Sequence, residues 1–310
     1  MILYYYGDNE FGIAQGVREL RQKYIDKVGD ELEYERIDVA SAGIHSLLDM
    51  IATVPMFATS RLVVVDNLSA AKPEDDQLKT LIASADATTV IVVVDANPDK
   101  RSRVYKQLSK LKGAKAYHKL SRLQLIKWLQ ATVQQQGVEL DSATASYLVD
   151  WAGDDQWKLY NELLKIAANP TGIDKKLIEQ LVSPSVEASG FKMLDALFMP
   201  DVSKLLAEYD RMLADSQSDQ QTIGLLNWQL RVLALAREGI ESGNSGWIKA
   251  NRIAPFVAQK AQAYAKKLTM YQITDAYDLL VQADFAIKSK GLPAESTVRQ
   301  ALLELHSLLN

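Results

Sequence analysis

The sequence predicts an α/β domain at the N-terminus, followed by a small helical domain and a larger all-α domain. Over the first 120 residues, short β-rich runs alternate with amphipathic helical stretches, which is typical of a parallel sheet wrapped by helices. The runs at 62–65 and 90–94 are apolar at every position, which predicts central strands covered on both faces. After Ser121 such runs stop and helical periodicity continues.

The first domain, residues 1–120, is expected to contain five strands and four helices. The predicted strands are 2–6, 33–37, 62–65, 90–94 and 115–118. The predicted helices lie near 10–27, 43–53, 74–84 and 100–111. The element order therefore resembles that of a P-loop-like parallel sheet with crossover helices.

The remaining chain is expected to form a small helical domain over 121–186 and an all-helical domain over 187–310. Ser121 precedes an apolar stripe that includes Ile126, Leu129 and Val133, which predicts a capped helix. Further helices are predicted near 141–152, 155–168 and 173–182. In the last domain, breaks between helices are predicted at Pro200, 217–220, 243–246, Pro255 and 291–293.

Composition limits the kind of protein. A chain of 310 residues is long enough for two or three domains. It has no cysteine, which excludes disulfides, thiolate metal sites and cysteine nucleophiles, and we expect a cytoplasmic location. The first residues lack a basic leader, and no apolar run approaches the roughly 20 residues of a membrane span, so we expect a soluble protein with no membrane contact.

Charge is distributed unevenly along the chain. Residues 1–95 carry 8 basic and 16 acidic side chains, whereas residues 100–127 carry 10 basic and no acidic ones. The basic members are Lys100, Arg101, Arg103, Lys106, Lys110, Lys112, Lys115, Lys119, Arg122 and Lys127. Two interpretations stay open: a solvated face that balances the acidic part, or a patch that faces phosphates or a partner.

The first strand leads into a glycine turn that resembles a P-loop but lacks its chemistry. Gly7 and Gly12 have the G-x-x-x-x-G spacing, yet Ile13 and Ala14 stand where a Walker motif has Lys and Ser or Thr. Asp8 and Glu10 add negative charge where phosphates would bind, so nucleotide binding is not expected. The turn from strand to helix is enough to explain a glycine at position 7. We expect no cofactor.

Other motifs give no enzyme signature. Asp66 and Asp95 each end a Val-rich strand, and because no catalytic Glu accompanies them we interpret both as polar caps on buried strands. The three histidines are far apart in sequence, and no G-x-S-x-G elbow occurs. The sequence therefore predicts neither a metal site nor a catalytic residue.

The exit of the second helix contains an adjacent apolar pair, Met56 and Phe57. The helix has a face for packing on the sheet, formed by Ile44, Leu47, Leu48 and Ile51. Pro55 interrupts the helix before the pair, and two adjacent side chains cannot both lie deep in one stripe. The pair is either a knob that plugs a pocket on another protein or, as the residues alone favour, a seal on the core.

Several segments, in order and spacing, resemble the delta subunits of bacterial DNA polymerase III clamp loaders. They are LYYYGDNEF (3–11), MF (56–57), SRLVVV (60–65), KR (100–101), YK (105–106), GD (153–154), NELLK (161–165) and ADFAIK (283–288). The resemblance extends over the whole chain. It implies a degenerate AAA+ core at 1–120, a helical lid at 121–186 and a helical collar at 187–310.

The resemblance also implies a function without catalysis. Members of this family do not hydrolyse ATP; they bind the sliding clamp (beta subunit) and open it, and a hydrophobic pair after the second helix enters the clamp's peptide pocket. By position that pair is Met56 and Phe57, although the family pair is often Leu-Phe. The other implied partners are loader subunits of the gamma/tau and delta-prime types, and primed DNA through the assembled loader.

The resemblance also draws attention to three further groups of residues. The basic residues Lys100, Arg101, Arg103, Lys106 and Lys110 become candidates for a surface that faces DNA or a subunit. Arg61 matches a frequent family position, with no partner readable from sequence, and Asp284 and Lys288 at i and i+4 predict a local helix pair. The alternatives are a helical scaffold that binds no clamp and an atypical AAA+ ATPase.

Overall fold

The computed structural model describes all residues except 30–31, 54–59, 86–87, 170–171, 215–217, 245, 252 and 254. The chain separates into two units, Met1–Ser121 and Arg122–Asn310. In the part of the chain described, no helix is both long and apolar enough to cross a membrane.

The first unit is built on a five-stranded sheet in which all neighbouring strands are parallel. The strands are β1 (Ile2–Gly7), β2 (Leu32–Asp38), β3 (Ser60–Asp66), β4 (Thr89–Ala96) and β5 (Ala114–Ala116). Their order across the sheet is β2-β3-β4-β1-β5. The prediction of a parallel α/β domain is therefore confirmed, and the two fully apolar runs are interior strands.

In the described parts of the connections, five helices lie between these strands: α1 (Glu10–Val28), α2 (Val39–Ala42), α3 (Ile44–Ala52), α4 (Asp75–Ala83) and α5 (Arg103–Leu108). The single helix predicted near 43–53 is preceded by the short α2, because Gly43 has a φ of +83° and breaks the helical path. The helix predicted near 100–111 begins later, since Ser102 acts as its N-cap and accepts a hydrogen bond from the Tyr105 amide.

The sheet is covered on both faces. Val63 and Val65 of β3 face one side, in a cluster that includes Leu47 and Ile51 of α3. Val64 faces the opposite side, and that cluster includes residues of α1. Because each fully buried Val or Leu contributes about 1.5–3 kcal/mol relative to an exposed one, these clusters fix strand register and hold α1 and α3 on opposite faces.

The second unit is helical throughout its described residues. Its helices are α6 (Arg122–Gln134), α7 (Ser142–Ala152), α8 (Gln156–Ala167), α9 (Lys175–Leu181), α10 (Val186–Leu197), α11 (Val202–Ala214), α12 (Asp219–Ser242), α13 (Gly246–Ala250), α14 (Pro255–Ala265), α15 (Met270–Lys290) and α16 (Ala294–Leu309). Gly243 and Gly291 end α12 and α15 in the left-handed conformation, at two of the predicted breaks.

One large core joins the last helices of this unit. Its buried members run from Phe191 on α10 to Leu309 on α16, and they include Tyr209 and Leu302. Capping boxes at Ser218 and Thr269 begin the two longest helices, α12 and α15. The division of the helical part into a lid over 121–186 and a collar over 187–310 stays a prediction.

Candidate functional site

The turn between β1 and α1 is closed by residues that follow β5. The Asn9 amide donates to the Tyr117 carbonyl at 3.2 Å, and the Asn9 side-chain amide donates to the His118 carbonyl at 3.1 Å. The same Asn9 side chain accepts a hydrogen bond from the Gly12 amide at 2.8 Å. An amide of the first helical turn that would hold a phosphate in a P-loop is therefore used within the chain.

The Tyr117 residue fills the space beside this turn. A Cβ atom at Gly7 would lie 2.0 Å from the Tyr117 carbonyl oxygen, and one at Gly12 would lie 3.0 Å from its ring. At Gly16 a Cβ atom would lie 2.1 Å from the Tyr117 hydroxyl oxygen. Burial raises the pKa of the Tyr117 hydroxyl to about 12, so it stays neutral at physiological pH. All three glycines are thus explained by packing against Tyr117.

The charge and side chains of the turn are also unsuited to phosphate. The Asp8 carboxylate accepts a hydrogen bond from the Lys119 amide at 3.0 Å, and this bond, with a smaller contribution from His118, lowers the pKa of Asp8. Asp8 therefore carries a negative charge at neutral pH. Ile13 lies buried in the core, so positions 13 and 14 offer neither a cation nor a hydroxyl to a nucleotide.

The two strand-end aspartates stabilise the sheet. Asp66 receives two hydrogen bonds from the Arg36 guanidinium, at 2.6 and 2.9 Å. Asp95 is buried, and it accepts hydrogen bonds from the Ser69 amide at 3.1 Å and the Ser69 hydroxyl at 2.7 Å. Both carboxylates have fixed partners, which confirms the interpretation that they cap strands.

No metal site forms among the described residues, since no three His, Asp or Glu side chains there come together in a way that could hold an ion.

The predicted apolar pair Met56 and Phe57 lies outside the described residues, in the segment 54–59. Its two flanks are described: α3 ends with Thr53 as its C-cap, and β3 begins at Ser60. The predicted packing face of α3 is confirmed, because Leu47 and Ile51 are buried and Ile44 and Leu48 pack against the same core.

The structure identifies the partners of Arg61, which sequence alone left open. Its guanidinium donates to the carbonyl oxygens of Met50 and Thr53, each at 2.9 Å. It also pairs with the Glu35 carboxylate, with an Nε to Oε2 distance of 2.9 Å, and Glu33 lies 3.5 Å away. Only 2% of Arg61 is exposed. The sequence feature that could have predicted these contacts is a charged residue at the start of an otherwise apolar strand. Such a residue is buried with the strand, and a buried cation needs partners.

The five candidate basic residues differ in whether they form ion pairs. Arg101 pairs with Asp99 at 3.1 Å and Arg103 with Asp75 at 3.0 Å. Three others, Lys100, Lys106 and Lys110, are exposed, and no acidic side chain among the described residues lies within salt-bridge distance of them. Further along the basic segment, Arg122 forms an ion pair with Asp150 at 2.7 Å inside the helical unit. Among the five candidates, the three without an acidic partner in the described part of the chain thus lie on α5 or within three residues of it.

The helical unit carries an exposed apolar face that sequence reasoning did not single out. On α15, Val281 is 57% exposed and Phe285 is 56% exposed, one turn apart. Tyr271, at the start of the same helix, is also exposed. The sequence feature that could have predicted this exposed face is a pair of apolar residues at i and i+4 that lie outside the buried stripe of the helix. Nearby, Asp284 and Lys288 form an ion pair at 2.8 Å, which confirms the predicted local pair.

Two family models match the chain. The model described as DNA polymerase III, delta subunit matches residues 3–118, and the model described as DNA polymerase III delta subunit, C-terminal domain matches residues 187–305. Together they cover well over half of the sequence. The chain belongs to the DNA polymerase III delta subunit family. The resemblance seen in the sequence is thereby confirmed.

The fold of this delta-family chain is similar to that of a solved clamp-loader protein. It matches the Bacillus subtilis DNA clamp loader delta protein (YqeN) with a TM-score of 0.59, over 99% of this chain and 95% of that one. The two sequences are 17% identical, so the likeness is one of fold. A search of curated proteins finds no significant match.

Proposed function

We propose that this delta-family chain binds and opens the sliding clamp in the cytoplasm, so that the clamp is loaded onto primed DNA, without itself hydrolysing ATP. The observation that carries the proposal is the match of both its N-terminal and C-terminal parts to delta-subunit family models. The chain then stabilises one conformation of the clamp ring by binding to that conformation. A ligand shifts such an equilibrium only by binding one state more tightly than the other.

The turn after β1 supports the absence of ATP hydrolysis. In an ATPase this turn holds the phosphates through backbone amides, a Lys and a hydroxyl. Here Asn9 accepts the hydrogen bond of the Gly12 amide, Tyr117 packs against the turn, and Asp8 is negatively charged. The degenerate AAA+ core is therefore proposed to act as a rigid support for clamp binding.

Met56 and Phe57 are proposed to be the clamp-binding pair. They lie in segment 54–59, between Thr53, the C-cap of α3, and Ser60, the first residue of β3. The α3 helix is held on the sheet by Leu47 and Ile51, which gives the segment a fixed starting point. Apolar anchors that enter a pocket typically dominate the energy of such an interface.

The helical part is proposed to connect this chain to the other loader subunits, of the gamma/tau and delta-prime types. The match of residues 187–305 to the C-terminal domain of the family supports this assignment of the collar. The exposed Val281 and Phe285 of α15 offer an apolar surface of the kind that subunit contacts bury.

A titration of the purified chain against the cognate clamp tests the proposal. We expect saturable binding without ATP, and release of the clamp from closed circular DNA when the chain is added, because a stabilised open ring falls off. Absence of binding and release, together with retained assembly with other loader subunits, would favour the scaffold alternative. Tight binding of Mg-ATP by the isolated chain would instead favour the atypical ATPase.

The exposed lysines near α5 are proposed to face DNA in the assembled loader. Replacing Lys106 and Lys110 by Glu should weaken binding of the loader to primed DNA and flatten its salt dependence, because each phosphate contact contributes to counterion release. The matched control is Lys23→Glu with Lys27→Glu, two exposed lysines on α1 with the same change in charge. Equal DNA affinity in the two variants, measured over a salt series, would contradict the assignment.

A further inference from the structure

The connection between α9 and α10, residues 182–185, is held at both ends by one residue of α7. Val182 is the C-cap of α9, and Ser185 is the N-cap of α10. The indole Nε1 of Trp151 donates to the Val182 carbonyl at 2.9 Å, and the Ser185 amide donates to the Trp151 carbonyl at 2.7 Å. Both ends of the connection are therefore fixed relative to α7.

The middle of the connection has little freedom as well. Lys158 on α8 donates a hydrogen bond to the Pro184 carbonyl at 3.2 Å. The ring of a proline restricts its own φ and the backbone of the residue before it. A hinge needs residues whose backbone angles can change widely. Residues 182–185 are therefore unsuited to act as a hinge between α9 and α10.

The side chain of Trp151 also contacts α10. The Lys192 ammonium of α10 lies 4.4 Å from the centre of the indole ring, which is a cation–π contact. Tyr147, one turn earlier on α7, stacks with the same ring at a centroid distance of 5.9 Å. Only 6% of Trp151 is exposed. The indole thus contacts α7, the end of α9 and α10 at once.

The α10 helix is part of the core of the last helices. Phe191 and Leu194 are buried members of that core. The Asp195 carboxylate accepts hydrogen bonds from the Lys260 ammonium at 2.6 Å and from the Tyr264 hydroxyl at 2.5 Å, and both donors lie on α14. The α10 helix is thereby joined to α14 as well as to α7.

We propose that Trp151 couples α6–α9 rigidly to α10–α16, so that the two groups of helices move as one body. Within the first group, α6, α8 and α9 each contact α7, so holding α7 holds the group. The family models match residues 3–118 and 187–305, and α6–α9 lie outside both matches. The inference gives these helices a mechanical role, and it does not depend on clamp binding.

Distances between two spin labels test the coupling directly. The chain has no cysteine, so two introduced cysteines are labelled selectively. Ala131 on α6 and Gln282 on α15 are exposed and suit this purpose. We expect a narrow distance distribution in the labelled parent chain and a roughly twofold wider one in Trp151→Leu, which loses the indole contacts with α9 and α10. The matched control is Trp157→Leu on α8, where the tryptophan is 42% exposed, and it should keep the parent width.

Amide exchange separates a loss of coupling from a general loss of stability. In Trp151→Leu, peptides from α6–α9 and from residues 182–192 should exchange about tenfold faster, while those from α12 and α15 keep wild-type rates. A parent-like distance distribution in a folded Trp151→Leu protein would overturn the proposal, and so would equal acceleration of exchange in all these helices. A broad distribution in the labelled parent chain itself would also overturn it.

If Trp151→Leu does not fold, Trp151→Phe decides the question. This variant keeps an aromatic ring beside Tyr147 and Lys192 but has no N–H to donate to the Val182 carbonyl. A wider distance distribution, with faster exchange in residues 182–192, would support the coupling. Parent-like values of both measurements would overturn the role of the indole.

Discussion

Replacing Met56 and Phe57 together by Ala is expected to reduce clamp affinity by about 3–5 kcal/mol, or roughly a hundredfold to several thousandfold. Each apolar side chain contributes about 1.5–3 kcal/mol when it is fully buried in a pocket. Interface anchors often account for most of the binding energy, so loss of both should nearly abolish complex formation. Isothermal titration against the cognate clamp measures the change, and circular dichroism verifies the fold.

The control for this experiment is Val281→Ala with Phe285→Ala. These residues are exposed on α15, in the helical unit, and the substitution removes comparable apolar surface. The control should bind the isolated clamp like wild type, since the proposal assigns this surface to loader subunits. If both double variants lose affinity equally, general apolar adhesion rather than a specific anchor would explain the binding. If neither double variant loses clamp affinity, the assignment of Met56 and Phe57 as the clamp-binding pair is wrong.

Much of the first unit was predictable because its central strands are buried on both faces. A run such as 62–65, apolar at every residue, has few alternatives in a chain that alternates strands and helices. It became the interior strand β3, and the run at 90–94 became its neighbour β4. Local signals therefore identified the central strands, and the alternation of strands and helices indicated that the strands are parallel.

Element ends were harder to predict because they depend on single residues and on pairing partners. Gly43 separates α2 from α3, where hydrophobic periodicity alone predicts one helix. The last strand was predicted at 115–118 but lies at Ala114–Ala116, because it pairs only with Tyr4–Tyr6 of β1. Such pairings join residues more than 100 positions apart, and no local pattern encodes them.

The same reason explains what sequence reasoning missed at the site. Tyr117 contacts Gly7, Gly12 and Gly16 only because β5 lies beside β1. Arg61 meets Glu35 only because β2 and β3 are aligned in one register. The identity of the clamp-binding pair, by contrast, rests on the family resemblance and on its place between α3 and β3. The contacts within the sheet can be inferred once the strand order is known. The residues that contact a partner protein cannot be inferred from the strand order.

Replacing Gly7 by Ala is expected to destabilise the first unit by about 2–6 kcal/mol. The residue has a φ of +133°, which strains any other amino acid by about 1–3 kcal/mol, and its Cβ atom would lie 2.0 Å from the Tyr117 carbonyl oxygen. That oxygen belongs to the backbone, and relieving such an overlap adds about 1–3 kcal/mol. The substitution should therefore push the residues after β5 away from β1.

Gly29 supplies the matched control for this prediction. It also has a positive φ, of +62°, but a Cβ atom there would meet no atom of the other described residues within 4 Å. Gly29→Ala should therefore show the backbone strain alone, and the difference between the two variants isolates the contact with Tyr117. All five tryptophans lie in the helical unit, so tryptophan fluorescence does not report on this sheet. Amide exchange of β1 and β4 is the appropriate measurement.

The stability losses of the two variants show whether the glycine turn is closed by Tyr117 or can open to a ligand. A loss in Gly7→Ala clearly larger than in Gly29→Ala would show that the turn is built around Tyr117, which leaves no place for a phosphate at Gly7. Equal losses would mean that the residues after β5 move aside at little cost, and the turn could then open to a ligand. The stability difference between the two variants therefore distinguishes a turn closed by Tyr117 from a turn that has room for a ligand.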